Sequence, residues 1–199
     1  MPRGPRKHSE SGLYHVTSRG LRPLRLFEGA PDCATFCNVL ELVHDDIGLS
    51  LEAYCLMGTH FHLLIRSEPR GLARAMQRIK SRYAQEMNRR RDRSGPLFEA
   101  RYGAVPVESD EHCHAAFVYV AVNPVQAGLV AAAADWPFGS HRAHAGLVAP
   151  PRWLLPIRTS GVFRSTYTYV DAVDLAVADI HRRRAEESDA RSGSDPDGV

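Results

Sequence analysis

Apolar and polar positions change period several times along this chain. Leu13–Arg19, LYHVTSR, is rich in β-formers and predicts a strand. From Ala30 to Asp46 the apolar positions Phe36, Val39, Leu40 and Val43 fall on one helical face, with Pro31 in the first turn and Gly48 as the stop. Leu49 to Met57 and His60 to Ser67 predict two further strands, joined by the tight turn Met57-Gly58-Thr59 into a hairpin. Gly71 to Asn88 gives the clearest helical pattern, with Leu72, Ala75, Met76, Ile79, Tyr83 and Met87 in a core stripe. Arg101 to Val107 predicts a fourth strand. Ser109 and Asp110 suit the cap of a helix that runs to about Val122, where Asn123-Pro124 is expected to end it, because a residue before proline disfavours the helical region. Asp135 to Ser140 predicts a turn with aromatic anchors, and a last helix spans roughly Tyr167 to Arg184.

The order strand, helix, strand, strand, helix, strand is the split βαβ pattern of ferredoxin-like folds. The expected fold class is therefore α+β: an antiparallel sheet with helices on one face and a C-terminal helical extension. The other face is left open to a ligand or a further helix. The expected organisation is a flexible basic arm over residues 1–12, a main domain over 13–142, an extension with a helix over 143–184, and a disordered acidic tail over 185–199.

Charge adds a local feature. The 199 residues carry a net charge of only +2, yet residues 70–101 hold ten Lys/Arg against three acids and residues 1–25 hold six against one. Arg70, Arg74, Arg78 and Arg82 recur every four residues and form a cationic ridge beside the core stripe. Arg89, Arg90, Arg91 and Arg93 follow in a basic loop. Four arginines in a row repel one another, and a polyanion laid along them would relieve that. The charge alone leaves two readings open, a nucleic-acid surface and a solvated helix face. No apolar run approaches the ~18 residues of a membrane-spanning helix, and the basic start lacks the apolar stretch of a secretory signal. Four cysteines, Cys33, Cys37, Cys55 and Cys113, form neither a disulfide framework nor paired CxxC zinc ligands, so a reducing cytoplasm is the expected compartment.

Candidate chemistry is concentrated in a few places. In His60-Phe61-His62, strand alternation points both imidazoles to one face, with Leu64 and Arg66 continuing it. Two imidazoles so spaced can chelate one divalent ion, and they can equally be packing or surface histidines. Tyr119 and Asn123 lie four apart on one helical face. The residues alone do not choose Tyr119 among the seven tyrosines, and Asn123 before Pro124 also suits a helix terminator. P-loop, GxGxxG, GxSxG and HExxH patterns are absent.

Five blocks occur in order: Leu13-Tyr-His-Val-Thr-Ser-Arg-Gly20, Ala53-Tyr-Cys-Leu-Met-Gly-Thr-His-Phe-His-Leu-Leu-Ile65, Tyr83-Ala-Gln-Glu-Met-Asn88, Gly95-Pro-Leu-Phe-Glu-Ala-Arg-Tyr102 and Tyr119-Val-Ala-Val-Asn-Pro-Val-Gln-Ala-Gly-Leu-Val130. Together, over roughly residues 12–142, they resemble the tyrosine HUH transposases that act on single-stranded DNA, most closely the REP-associated tyrosine transposase branch. The resemblance implies a ferredoxin-like fold and a divalent cofactor, Mg²⁺ or Mn²⁺, held by His60 and His62, with Asn123 completing the metal site. It implies Tyr119 as the nucleophile that attacks a phosphodiester, leaving a 5′-phosphotyrosine link and a free 3′-hydroxyl. It implies single-stranded or hairpin DNA as partner, acted on by a monomer or a homodimer. Arg66, Arg70, Arg74, Arg78, Arg82, Arg89, Arg90, Arg91, Arg93 and Arg101 are the cations expected to hold the DNA backbone. The family usually writes Pro-Asn before the first histidine; this chain has Gly58-Thr59 there, a glycine turn that can still place His60.

Two rival readings remain at this level. One is a domesticated hairpin-binding protein that keeps the fold without the cutting. The other is a metal-dependent hydrolase of small molecules, which the basic ridge and the lack of an obvious third zinc-type ligand oppose.

Overall fold

The computed structural model describes residues 9–192. Four strands, β1 (Leu13–Arg19), β2 (Leu51–Met57), β3 (His60–Arg66) and β4 (Gly103–Pro106), form one antiparallel sheet in the order β2-β3-β1-β4. Helix α1 (Ala30–Ile47) links β1 to β2, and α2 (Pro69–Arg90) links β3 to β4. The expected α+β, split βαβ architecture is what the chain adopts.

Strand alternation divides the side chains into two cores. Tyr14 and Val16 of β1 with Phe61, Leu63 and Ile65 of β3 meet the apolar stripes of α1 and α2. Leu13 and Leu64, with Ala53, Cys55 and Met57 of β2, meet α3 (Asp110–Gln126) and α5 (Thr166–Ser192) on the other side. The face expected to be open is thus taken by helices, α3 lying on it and α5 packing against α3. A short helix α4 (His141–His144) ties this layer to β2, since His144 Nε2 meets the Glu52 carbonyl at 2.9 Å.

Most boundaries shift by one or two residues, and three differ in ways that matter for the fold. Helix α3 does not stop at Asn123: it carries Pro124 inside and ends at Gln126. Proline removes one backbone donor, and only two helical residues follow it, while Pro124 and Val125 are buried against the core. That burial offsets the loss. Helix α5 continues past Arg184 to Ser192, into the segment expected to be a disordered tail. Arg, Ala and Glu favour helix there, and Asp179 is paired with Arg182 and Arg183 one turn on. Of the basic arm, residues 1–8 lie outside the described residues. Residues 9–12 are fastened down: the Ser9 amide donates to the Tyr14 hydroxyl at 3.0 Å, and the Ser11 hydroxyl donates to the Val107 carbonyl at 2.5 Å.

Candidate active site on the histidine face

The β1–β3 register sets Arg19 opposite His60 and Thr17 opposite His62, with His15 opposite Leu64. Directly opposed residues share a face, so His15, Thr17, Arg19, His60 and His62 stand together on the side covered by α3. Ser109 caps that helix by accepting the His112 amide at 3.1 Å, with Asp110 and Glu111 in the first turn complementing its dipole. Residues Cys113, Ala116, Phe117 and Val120 face the core. Tyr119 therefore falls on the flank of the buried stripe, 41% exposed. Its ring meets His62 edge-on at 5.5 Å between centroids and His15 at 5.6 Å. The phenol and the HxH pair, far apart in sequence, do converge.

They share a polar cavity of about 420 Å³, lined by Arg19, His60, His62, Glu99, Arg101 and Tyr119 among others. A second, more apolar cavity of about 670 Å³ lies between α3 and α5, and Tyr119 borders it too. Asp171, Asp179 and Arg183 line that second cavity, with Asp179 and Arg183 paired to each other, whereas in the first Arg19 and Arg101 outnumber the single acid Glu99.

The hairpin turn before His60 packs beside the exposed tip of Arg25. A side chain on Gly58 would collide with the Arg25 guanidinium, and the turn is held by amides of Phe27 and Gly20 donating to the Gly58 and Thr59 carbonyls. Thr59 Oγ1 lies 3.1 Å from His60 Nδ1 and steadies that ring.

Burial keeps the imidazoles uncharged. His62 is held down to about 3, first by desolvation, then by His15, His60 and Arg19. His15 is lowered to about 4 by desolvation and by His112, and His60 is lowered by desolvation and Arg19. Neutral rings are the form that can ligate a cation. His62 Nε2 is buried without a hydrogen-bond partner, an atom that a divalent ion would satisfy. Two neutral imidazoles would supply two of the ligands of a divalent ion, and the remaining ligands would have to come from oxygen donors. Among the described residues no group of three His, Cys, Asp or Glu is placed to hold a metal. Asn123 does not line the cavity; its side-chain amide donates to the Tyr119 carbonyl at 2.7 Å.

The expected cations separate into two sets. Helix α2 lies across the sheet from the histidines, so its ridge does not border the site. Arg78 pairs with Asp46 at 2.8 Å and Arg82 binds the same carboxylate. The repulsion along the ridge is thus relieved in part within the molecule. Arg89 pairs with Glu86, while Arg90 and Arg91 pair with the buried Asp32. Arg66 is bound to the buried Glu52 at 2.7 Å, ~13 Å of strand beyond His62. Arg70 and Arg74 are exposed on the outer side, and Arg93 is half-buried in the loop after α2. Only Arg101 of the predicted set lines the cavity, where Arg19, unnoticed in the sequence, joins it. His15 was likewise unnoticed. Its signal is the alternation Leu13-His15-Thr17-Arg19, which becomes meaningful only with the β1–β3 register.

The split βαβ sheet is the fold that the resemblance implied. A profile of IS200-like transposases matches residues 11–123, more than half of the chain, and the protein belongs to that family. Its role is accordingly that of a transposase-type, DNA-processing protein. The structure of a REP-associated tyrosine transposase bound to a REP hairpin has the same fold, with a TM-score of 0.61 and 19% identity over 79% of this chain and 93% of that one. A Deinococcus radiodurans R1 protein described as a transposase aligns at 19% identity and a TM-score of 0.41, over 58% of this chain and 91% of that one. Comparison with curated proteins gives no match. Among the described residues no helix is long and apolar enough to cross a membrane.

Proposed function

We propose that this protein cleaves and rejoins single-stranded DNA beside a hairpin, through a covalent link to Tyr119. The observation that supports it above the others is the packing of the Tyr119 ring on His62 and His15 at the wall of a cavity that also holds Arg19 and Arg101. Tyr119 Oη attacks the phosphorus, its proton passes to solvent or a neighbouring base, and the bond from phosphorus to the 3′-oxygen breaks. That oxygen takes up a proton from solvent as it leaves, giving a 3′-hydroxyl, and the 5′-phosphate stays on the tyrosine. One phosphodiester replaces another, so the reverse attack by a 3′-hydroxyl rejoins the strand without a nucleotide cofactor. Arg19 and Arg101 hold the anionic backbone against the phenol. A divalent cation, Mg²⁺ or Mn²⁺, on His60 and His62 would neutralise the non-bridging oxygens and ease departure of the 3′-oxygen. A hairpin substrate follows the likeness to the relative whose structure holds one.

The test is a denaturing gel of the full chain with end-labelled hairpin DNA and Mn²⁺. A protein–DNA adduct that Tyr119→Phe lacks is the expected result; an adduct that persists in the variant overturns the assignment.

A second reading, hairpin binding without cutting, is favoured by one observation. Asn123, expected to complete the ligand set, spends its side-chain amide on the Tyr119 carbonyl. Tight hairpin binding with no adduct in either metal would select it.

A further inference from the structure

Three imidazoles borne on the sheet strands themselves, His15, His60 and His62, stand on the histidine face, and only two of them belong to the HxH strand. His15 Nε2 lies 2.9 Å from His62 Nδ1, and the two rings meet nearly coplanar, with 5.2 Å between centroids and 20° between their planes. A neutral imidazole carries one ring N–H, so this contact needs one donor and one acceptor. If His15 donates from Nε2, the proton of His62 must sit on its own Nε2. If His62 donates from Nδ1, its Nε2 is a bare lone pair.

The difference matters because His62 Nε2 is the buried atom without a partner. An N–H there would be a buried donor with no acceptor, and it would turn a cation away. A lone pair there is the ligand that a divalent ion needs. Ligating histidines generally donate their other ring N–H to an acceptor that fixes tautomer and orientation.

We infer that His15 is a positioning residue, accepting the Nδ1–H of His62 and so presenting the bare Nε2 of His62 to the cation. The inference rests on the metal reading given above and adds a residue from a different strand. It also gives His60 and His62 separate supports, Thr59 for the first ring and His15 for the second.

The experiment uses the full chain without DNA. Long-range proton–nitrogen spectra of the metal-free protein, at a pH above the imidazole range, read the His62 tautomer; manganese electron paramagnetic resonance titrations read the affinity. Wild type is expected to show His62 protonated at Nδ1. His15→Leu removes the acceptor, relaxes His62 toward the Nε2–H form, and weakens Mn²⁺ binding about 10- to 100-fold. His15→Gln, whose amide oxygen accepts the same hydrogen bond, retains both properties and separates a positioning role from a packing one. The inference is overturned by an Nε2–H form of His62 in wild type, or by a folded His15→Leu that binds Mn²⁺ as tightly as wild type. No Mn²⁺ binding by wild type would remove the metal reading and this inference together. If the tautomer and affinity results hold while hairpin DNA is never cut, the cleavage reading fails and the role of His15 stands.

Discussion

The two faces of the sheet carry the same kinds of residues and use them differently. On the α1/α2 face Tyr83 is fully buried, its hydroxyl donating to the Leu26 carbonyl at 2.6 Å, with burial and the nearby Asp32 pushing its ionisation well above the ordinary phenol range. On the α3/α5 face Tyr119 is exposed at a cavity wall beside neutral imidazoles. The arginines follow suit. Those of α2 and the following loop are largely engaged by Asp46, Glu86 and Asp32, whereas Arg19 and Arg101 border the cavity. Density of charge along a chain is therefore a poor guide to the charge left at a site: the α2 arginines are largely matched by acids, whereas Arg19 and Arg101 share the cavity with the single acid Glu99.

The largest expected contrast is between the two tyrosines. Tyr119→Phe should lower adduct formation by about 10³ or more, whereas Tyr83→Phe should leave it intact and cost about 1 kcal/mol of stability for the lost hydrogen bond, read by urea unfolding. An equal loss of adduct in both would erase the distinction. Next in size, Asp32→Ala leaves Arg90 and Arg91 without their buried carboxylate and should destabilise the fold by ~2 kcal/mol, less than a fully buried pair because Arg90 is partly exposed. Hairpin affinity of the folded fraction should not change. Smaller again, Arg19→Ala and Arg101→Ala should each reduce the salt dependence of hairpin binding by about one counterion, while Arg78→Ala should leave the slope alone. A larger effect from Arg78 would return the DNA to the α2 ridge.

A separate, pH-dependent effect belongs to the histidine side. His144, bonded to the Glu52 carbonyl, is lowered from 6.5 to about 4, chiefly by desolvation. The unfolded chain then takes up that proton before the native state does. Stability is complete above the ordinary imidazole value and falls as pH drops from 6.5 toward 4. His144→Gln should flatten that part of the urea-midpoint profile; an unchanged slope would assign it to other groups.

Much of the fold was legible because each strand and helix keeps one period throughout. Leu13–Arg19 was placed at its observed ends, and the hairpin turn at Gly58-Thr59 followed from its glycine. The HxH pair and the Tyr119 helix were legible as motifs. What a single sequence lacks is the pairing between distant segments. Nothing in Leu13–Arg19 says that His15 will touch His62, because the contact depends on antiparallel register across a sequence separation of 47. Nor does the arginine period say which face of the sheet α2 will cover; that follows from the crossover, and it moved the ridge away from the site. Asn123-Pro124 misled for a related reason: a local helix-ending signal was outweighed by burial of the last turn, visible only once packed.

The Gly58 turn has a consequence for anyone who would graft family residues into this chain. Arg25 fills the volume a side chain at position 58 would need, but with the far end of a flexible, exposed side chain. A swing of the guanidinium would make room for Gly58→Pro without a backbone shift, and adding Arg25→Ala should change little. The loop is thus exchangeable with its relatives one residue at a time.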